Sequence, residues 1–341
     1  MLGEGNTPLV ESVRIGPALG VRRLLFKLEQ TNPSGSYKDR FIAAEICRLL
    51  RLEARACVAT SSGNTGSALA AYCARYGVEC AIVVNPDAPA GKLAQMQAHG
   101  ARLLRVRDFI ASPGVTASVM RRLAALSSER GIPLVISAYR YCPEGMAGVE
   151  SIARELARDC PSIDDIFVPV GGGGLFTAVC RGLGPPAPGA RRPRVHAVQP
   201  AGCSTVVAAF ERGDSEIRPV ESTTCVSGLA VPFDIDASLA LEHLRQSGGS
   251  GFAVSDREVY EAQGLLLRQE GIYCEPAGAA ALAGLRQALA RGLAQPDGTI
   301  VCLVTGHGFK DPQSIERLAA ENPSGVIDES ELEGRLVEMA A

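Results

Sequence analysis

The stretch Ile166-Phe167-Val168-Pro169-Val170-Gly171-Gly172-Gly173-Gly174-Leu175-Phe176-Thr177 joins a short apolar run to four consecutive glycines. A run of five mostly apolar residues is typical of a buried strand, and the residues after the glycines predict a helix that carries Thr177 and Val179. Glycines let successive backbone N–H groups turn toward one anion at the start of such a helix. The stretch therefore predicts a strand, a phosphate-binding loop and a helix, in that order.

A dinucleotide fingerprint is the alternative interpretation of these glycines, and their spacing excludes it. If the motif Gly-x-Gly-x-x-Gly began at Gly171, its third glycine would fall on Phe176. A merely flexible turn would cost backbone entropy without a gain. The four glycines are therefore interpreted as a cradle for a single phosphate.

The alternation of strand and helix extends along most of the chain. Short apolar runs predict six further strands, at Ala56–Thr60, Cys80–Val84, Arg102–Val106, Leu134–Ser137, Val195–Val198 and Thr299–Val304. Helical patterns lie between or after them, at Lys38–Leu52, Ser67–Tyr76, Ile152–Leu156, Val259–Gln269 and Pro276–Leu289. This order predicts an α/β fold with mostly parallel sheets and helices on both faces.

Three polar or glycine-rich turns follow predicted strands, after Thr60, after Val170 and after Val304. In open parallel sheets, ligands bind at the carboxyl ends of the strands. We therefore expect the three turns to build one site.

The first of these turns, Ser61-Ser62-Gly63-Asn64-Thr65, leads into an alanine-rich helix. Its hydroxyls, its amide and the free N–H groups of the helix start can form a pocket for a carboxylate. Asn64 can also hydrogen-bond a phenolic oxygen. The alternative is a loop that only caps the helix, and the turn by itself leaves both interpretations open.

Lys38 lies in the polar run Asn32-Pro33-Ser34-Gly35-Ser36-Tyr37-Lys38-Asp39-Arg40, which opens directly into a helical pattern. Taken alone, it reads as an exposed lysine at a helix start. A lysine on a fixed turn can instead serve as a nucleophile and then as a base. Together with a phosphate cradle, such a lysine predicts pyridoxal phosphate as the cofactor.

The last turn, Thr305-Gly306-His307-Gly308, offers a hydroxyl and an imidazole. The Thr305 hydroxyl can bind a pyridine nitrogen without protonating it, which weakens the electron sink and favours elimination and replacement over transamination. His307 is a weaker candidate base, because a loop histidine among glycines is more often structural.

Composition narrows the class of protein further. The 341 residues are 46% hydrophobic and 21% charged with a net charge of −3, which argues against a nucleic-acid partner. The eleven cysteines are scattered, with no Cys-x-x-Cys pair and no metal-ligand spacing, so we expect neither a disulfide framework nor a metal site. The first residues show neither the basic nor the apolar region of a signal peptide, and no apolar run approaches membrane-spanning length, so we expect neither a signal peptide nor a membrane span. We expect a cytoplasmic protein that binds no membrane.

These motifs together resemble the fold-type II pyridoxal phosphate enzymes, the tryptophan synthase β family, and among them most of all the threonine synthases. The likeness runs from about Gly3 to about Pro312. It rests on the opening Gly3–Leu9, the lysine segment Asn32–Arg40, the Ser61–Gly66 loop and two late signatures, Glu270–Ala277 and Val304–Pro312. The resemblance implies two open, mostly parallel, twisted sheets flanked by helices, with the cofactor in the cleft between two domains.

The resemblance also implies roles for individual residues. Lys38 becomes the lysine that carries the cofactor and acts in catalysis, and Asn64 faces the cofactor hydroxyl. The other cofactor residues are Gly171, Gly172, Gly173 and Gly174 at the phosphate and Thr305 at the ring nitrogen. The substrate carboxylate falls to Ser61, Ser62, Gly63, Asn64 and Thr65.

Domain boundaries and a homodimer are further expectations from the family. Residues 1–40 and 141–341 are expected to form the larger, cofactor-binding domain, and residues 41–140 a smaller mobile one. The implied reaction is elimination and replacement on a small amino acid, as in the conversion of O-phosphohomoserine and water to threonine and phosphate. Alternatives are β-elimination, as in serine and threonine dehydratases, and β-replacement, as in cysteine or diaminopropionate synthases. A catalytically idle metabolite-binding scaffold would have lost Lys38 or Asn64.

Two departures from the threonine synthase pattern favour those alternatives. Where those enzymes carry an arginine for the substrate phosphate, the alignment puts Gly145, within the run Cys142–Gly148. Phe41 stands where a small residue usually follows Lys-Asp-Arg. A dianionic phosphate without an arginine clamp loses a strong charge-assisted pair.

Overall fold

The computed structural model describes residues 1–61, 63–86, 88, 90–110, 112–185 and 191–340. Within them lie ten strands: β1 Leu9–Glu11, β2 Arg23–Leu28, β3 Ala56–Ala59, β4 Glu79–Val84, β5 Arg102–Arg105, β6 Leu134–Val135, β7 Asp165–Pro169, β8 Arg194–Pro200, β9 Gly251–Val254 and β10 Thr299–Val304. The same residues hold fourteen α-helices: α1 Ile15–Ala18, α2 Lys38–Arg51, α3 Asn64–Tyr76, α4 Ala90–Ala98, α5 Pro113–Arg130, α6 Pro143–Val149, α7 Ser151–Asp159, α8 Gly174–Gly182, α9 Thr205–Arg212, α10 Ala237–Ser247, α11 Asp256–Glu270, α12 Pro276–Ala290, α13 Pro312–Ala320 and α14 Leu332–Ala340. Three-residue 3₁₀ helices occur at Glu29–Thr31, Ala201–Cys203, Gly308–Lys310 and Glu329–Glu331.

The strands form two sheets. The larger has the order β1-β2-β10-β7-β8-β9, and every pairing in it is parallel except that of β1 with β2. The smaller has the order β5-β4-β3-β6 and is parallel throughout. It lies between residues 56 and 135. The predicted α/β fold with two mostly parallel sheets flanked by helices is therefore confirmed.

The predicted elements agree with the structure to within a few residues. All seven predicted strands exist, and the helix predicted after the glycine run is α8. The α3 helix ends at Gly77 in the left-handed region with φ +68°, a conformation that glycine adopts without a Cβ clash. Three strands of the larger sheet, β1, β2 and β9, were not predicted.

The β2 strand escaped prediction because a charged residue interrupts its apolar run. Lys27 is fully buried on this strand, where its Nζ donates to a Glu155 carboxylate oxygen at 2.7 Å. A lysine is buried only when it is paired, and its partner lies more than a hundred residues away. The pattern of neighbouring residues carries no trace of this pairing.

Helices cover the sheets with apolar faces. The α12 helix, rich in alanine and leucine, is buried along most of its length and packs on β7, β8, β9 and β10. The α2 helix buries Phe41, Ile42, Ile46 and Leu49, and it packs against α3 and α6. Among the described helices, none combines the length and the apolar character that a membrane span requires.

Candidate active site

One cavity of about 280 Å³ collects the predicted site residues. Every residue predicted for cofactor or substrate lines it, except Ser62, which lies outside the described residues: Lys38, Ser61, Gly63, Asn64, Thr65, Gly171, Gly172, Gly173, Gly174 and Thr305. The lining comes from the ends of β3 and β6 in the smaller sheet and of β7 and β10 in the larger. The three separate turns therefore line one cavity, and its role as the active site stays a prediction.

Lys38 begins α2, and its side chain enters the cavity. The Nζ atom donates to Ser137 Oγ at 2.5 Å and lies 4.8 Å from the centre of the Tyr37 ring. Ser137 follows β6, so the lysine amine reaches across from the start of α2 to the edge of the smaller sheet. Because the Ser137 hydroxyl is neutral, no ion pair holds the Lys38 amine at this position.

The chain contains four lysines, and the other three are tied to interior partners. Lys27 pairs with Glu155, and Lys92 pairs with Glu275 at 3.0 Å. Lys310 donates to Gln95 Oε1 at 2.8 Å, and burial lowers the pKa of its amine to about 8. Among the described residues that line the cavity, Lys38 is the one cationic side chain.

The turn that carries Lys38 is anchored by buried carboxylates. Asp39 accepts hydrogen bonds from the Ser34 N–H at 2.9 Å and from Ser34 Oγ at 2.6 Å, and burial raises its pKa to about 6. Arg40 pairs with Glu29 at 2.7 Å and with Glu155 at 2.6 Å, and all three side chains are buried or nearly so. The first helical turn therefore has little freedom to move Lys38.

Asn64 begins α3, and its amide orientation is set by a carboxylate. Its Nδ2 donates to Glu275 Oε1 at 2.6 Å, while the other oxygen of Glu275 pairs with Lys92. An ionised carboxylate only accepts hydrogen bonds, so Nδ2 must face it. Asn64 Oδ1 is left buried, with no hydrogen-bond partner among the described residues.

The glycine run needs glycine for steric reasons as well as for its N–H groups. Gly173 has φ +97°, and a Cβ there would lie 2.5 Å from the carbonyl oxygen of Asp236. The N–H of Asp236 donates to the Gly172 carbonyl at 2.9 Å, which holds the two loops together. The first N–H groups of α8 have no partners within the helix. The loop therefore presents donors to the cavity at close range.

The two candidate residues of the last turn, Thr305 and His307, lie in different environments. Thr305 is buried and lines the cavity. His307 is not among the described residues that line it; its ring packs against Tyr273 and Phe309, with centroids at 5.3 and 4.7 Å. Burial lowers the pKa of His307.

Among the cavity residues that were not predicted as site residues, Ser137, Glu275 and the segment 227–235 contribute most to the site. Ser137 was included in a predicted strand, although it follows a strand end of the kind that had located the other turns. Glu275 stands in one of the late signatures, at the start of α12, which was a usable signal. The segment Ser227–Ile235 contributes most of an apolar wall and carries no sequence signal.

The two departures from the threonine synthase pattern face each other in the structure. Gly145 on α6 packs against the Phe41 ring, and a Cβ at Gly145 would lie 2.6 Å from Phe41 Cε2. Neither residue is among those that line the cavity. Glu144 points outward and pairs with Arg51 at the surface. The ring thus fills the space beside Gly145 that a longer side chain would need.

A two-sheet α/β fold with a lysine, an asparagine and a glycine cradle around one cavity defines a class of cofactor-dependent enzymes. The family model described as "Pyridoxal-phosphate dependent enzyme" matches residues 1–306. The chain belongs to this family. It is a lyase, and its cofactor is pyridoxal phosphate.

The chain is also similar to individual proteins. The chain is 35% identical to the threonine synthase of Methanocaldococcus jannaschii, over 94% of this chain and 79% of that protein. It is also 35% identical to the threonine synthase of Methanosarcina acetivorans, over 92% of this chain and 76% of that protein. Among solved structures it resembles a pyridoxal 5'-phosphate-dependent aspartate racemase, at 25% identity, a TM-score of 0.74, and coverage of 88% of this chain and 90% of that one.

The residues present fit this cofactor. The unpartnered Asn64 Oδ1 is an acceptor that a hydroxyl donor from a bound molecule would satisfy. The glycine run at the start of α8 offers N–H donors suited to a phosphate. Lys38 supplies an amine for an aldehyde.

Two alanine substitutions in the glycine run should separate folding from cofactor binding. In Gly173→Ala the left-handed backbone and the contact with Asp236 should destabilise the apoprotein by more than about 1 kcal/mol. In Gly172→Ala the new Cβ meets Val231 at 3.4 Å, an ordinary contact. That variant should keep its free energy of unfolding within about 1 kcal/mol, yet bind pyridoxal phosphate more weakly. Urea unfolding and cofactor titration measure the two effects, and equal destabilisation would contradict the prediction.

Proposed function

We propose that this chain catalyses a threonine-synthase-like elimination and replacement, in which O-phosphohomoserine and water give threonine and phosphate. The observation that carries the proposal is the 35% identity to threonine synthases over more than nine-tenths of the chain. It is supported by the cavity, where the residues predicted from that resemblance meet.

Pyridoxal phosphate, when bound, supplies the electron sink that lets bonds at the α-carbon of an amino acid break. In the proposal Lys38 Nζ holds the cofactor and then accepts the α-proton, with Ser137 Oγ as its resting partner. Asn64 binds the cofactor hydroxyl, and Gly171, Gly172, Gly173 and Gly174 bind its phosphate. Thr305 binds the ring nitrogen.

Substrate binding falls to the loop before α3. Ser61, Gly63, Asn64 and Thr65, with Ser62, would hold the α-carboxylate through hydroxyls and the N–H groups of the helix start. The Lys92–Glu275 pair orients Asn64 from behind. Since α4 carries Lys92 and α12 begins beside Glu275, this buried pair also ties the layer of the smaller sheet to that of the larger.

A second candidate function is β-elimination or β-replacement on a hydroxy or O-acyl amino acid. The specific observation that favours it is the absence of a second cationic side chain among the described residues that line the cavity. Apart from Lys38, a leaving phosphate would have only uncharged donors among these residues. Where the alignment expects an arginine, Gly145 packs against the Phe41 ring, and no cationic side chain is present.

One experiment separates the two candidates. The holoenzyme is incubated with O-phospho-L-homoserine, and released phosphate and threonine are measured together. In parallel reactions L-serine and L-threonine are supplied, and oxo acids are measured. Phosphate and threonine in equal amounts are the expected result.

Phosphate and threonine in unequal amounts would contradict replacement by water. Oxo acids from the hydroxy amino acids, with no phosphate release from the ester, would overturn the first candidate in favour of β-elimination. No turnover of any of these substrates by protein that binds the cofactor would leave β-replacement with another donor.

The proposal extends to movement, assembly and location. Residues 41–140 would form a smaller mobile domain that closes the Ser61–Thr65 loop over the substrate, against a larger domain of residues 1–40 and 141–341. Support comes from the smaller sheet, whose strands all fall within residues 41–140. A homodimer in the cytoplasm completes the proposal, and the eleven free thiols suit a reducing compartment.

A further inference from the structure

Three thiols meet in the smaller sheet, away from the cavity that holds Lys38. Cys57 on β3 and Cys80 on β4 are paired directly in the parallel register. Cys73 lies on α3, the helix that connects these two strands. The three Sγ atoms all lie within 4.8 Å of one another, and Cys57 Sγ is 3.7 Å from Cys73 Sγ. All three residues are buried.

The sequence did not predict this cluster, because its spacing matches no metal-binding motif. The β-α-β crossover assembles it: parallel pairing aligns two of the cysteines, and the connecting helix lays the third over them. Six other cysteines are also buried, at Cys142, Cys160, Cys180, Cys203, Cys274 and Cys302. Among the described residues only Cys57, Cys73 and Cys80 form a group of metal-ligand type and spacing.

A route from solvent reaches the cluster. Cys73 and Cys80 line a surface cavity of about 330 Å³ together with His99 and Arg102. Cys80 keeps 7% of its surface exposed there, whereas Cys57 keeps 1%. An ion could therefore enter from this side, and water could supply a further ligand.

The distances suit coordination by sulfur. Metal–sulfur bonds of about 2.3 Å place sulfurs about 3.8 to 4.0 Å apart in tetrahedral or trigonal geometry. The 3.7 Å separation of Cys57 and Cys73 already matches, and the remaining pairs need to close by less than about 1 Å. Three thiolates form a soft ligand set, which selects Zn²⁺ or Cu⁺ over hard cations.

We propose that Cys57, Cys73 and Cys80 form a tris-thiolate site for a thiophilic metal ion, Zn²⁺ or Cu⁺, which ties α3 to the smaller sheet. On binding, three S–H bonds break, three metal–sulfur bonds form and three protons leave to water, with no change of oxidation state. The ion would brace the helix whose first residue is Asn64. It would take no part in the reaction itself.

Metal uptake by the holoenzyme tests the site. A Cys225→Ser background removes an exposed thiol. This protein is dialysed with Zn²⁺ or, under reducing anaerobic conditions, with Cu⁺, and then analysed for metal and by native mass spectrometry. At least one of the two dialyses is expected to give one equivalent of bound ion, with a higher Tm and an unchanged kcat. The dialysis that gives it identifies the ion.

Single-cysteine variants test which residues bind the ion. Cys73→Ser and Cys80→Ser should each lose the bound equivalent, while Cys302→Ser, which removes a lone buried thiol, should keep it. Two variants of the cluster are used in case one of them does not fold. Retention of the ion by a folded cluster variant would overturn the site. So would no uptake by the background protein, including the case in which Cys57 and Cys73 are found joined as a disulfide.

Discussion

Lys38→Ala should lose the visible absorption of the holoenzyme, and its kcat should fall by about 10²- to 10⁴-fold, the range expected when a general base is removed. The reason is that the amine is asked both to hold the cofactor and to move the α-proton, and no other lysine is among the described residues that line the cavity. Lys38→Arg should fail to a similar degree, because a guanidinium stays protonated and cannot form the bond. Absorption spectra and steady-state kinetics with saturating pyridoxal phosphate measure both effects.

Reductive trapping provides a control that does not depend on turnover. Borohydride treatment of the wild-type holoenzyme followed by peptide mapping should find the cofactor on the peptide that contains Lys38. The nearest other lysine, Lys27, is eleven residues from Lys38, so fragmentation of the labelled peptide distinguishes the four lysines. A label on Lys92, the other lysine near the cavity, would contradict the proposed role of Lys38.

The sequence predicted those cavity residues that belong to a local pattern, such as a loop directly after a strand. The glycine run, the loop before α3 and Thr305 each follow a strand directly, and parallel strands bring their ends to one edge. A residue at such a position can be placed in a site without knowledge of the rest of the fold. Lys38 was predicted differently, because its turn alone is also typical of an exposed lysine, and its role followed from the glycine run and from the family resemblance.

The remaining site residues depend on contacts between distant elements. Glu275 became part of the site because its two oxygens meet Asn64 from α3 and Lys92 from α4. Phe41 and Gly145 are two separate departures from the family pattern in the sequence, and the structure shows that they pack against each other. The thiol cluster depends on the register of β3 and β4. Glu275 lies in one of the late sequence signatures, but the contacts themselves cannot be read from neighbouring residues.

The same kind of distant contact controls stability beneath the lysine turn. Glu155 on α7 receives Arg40 Nη1 at 2.6 Å and Lys27 Nζ at 2.7 Å, and it also accepts the N–H of Asn6 at 2.8 Å. Burial alone would raise the pKa of Glu155, but the hydrogen bonds from Arg40 and Lys27 outweigh it and lower the pKa to about 2. The carboxylate is thus ionised across the neutral range and is needed in that form.

Glu155→Ala should destabilise the protein by about 3–5 kcal/mol, because it leaves the buried charge of Lys27 without a carboxylate partner. Glu144→Ala removes a surface ion pair with Arg51, in which both side chains are more than half exposed. That matched control should cost less than about 1 kcal/mol. Urea unfolding at neutral pH measures both, and similar losses from the two variants would contradict a stabilising role for the buried network.

The pH dependence of unfolding gives an independent test of the same network. The ordinary pKa of 4.5 for this glutamate applies to the unfolded chain, and the folded value is about 2. A lowered pKa means that the unfolded state binds the proton more readily, so the stabilisation is complete above about 4.5 and is lost as the pH falls toward 2. The difference in free energy of unfolding between wild type and Glu155→Gln should therefore shrink across this window, and a difference that stays constant would show that Glu155 does not titrate as the network requires. Because Arg40 lies within one helical turn of Lys38, the loss of this ion pair in acid should also loosen the placement of the Lys38 side chain before the rest of the fold unfolds.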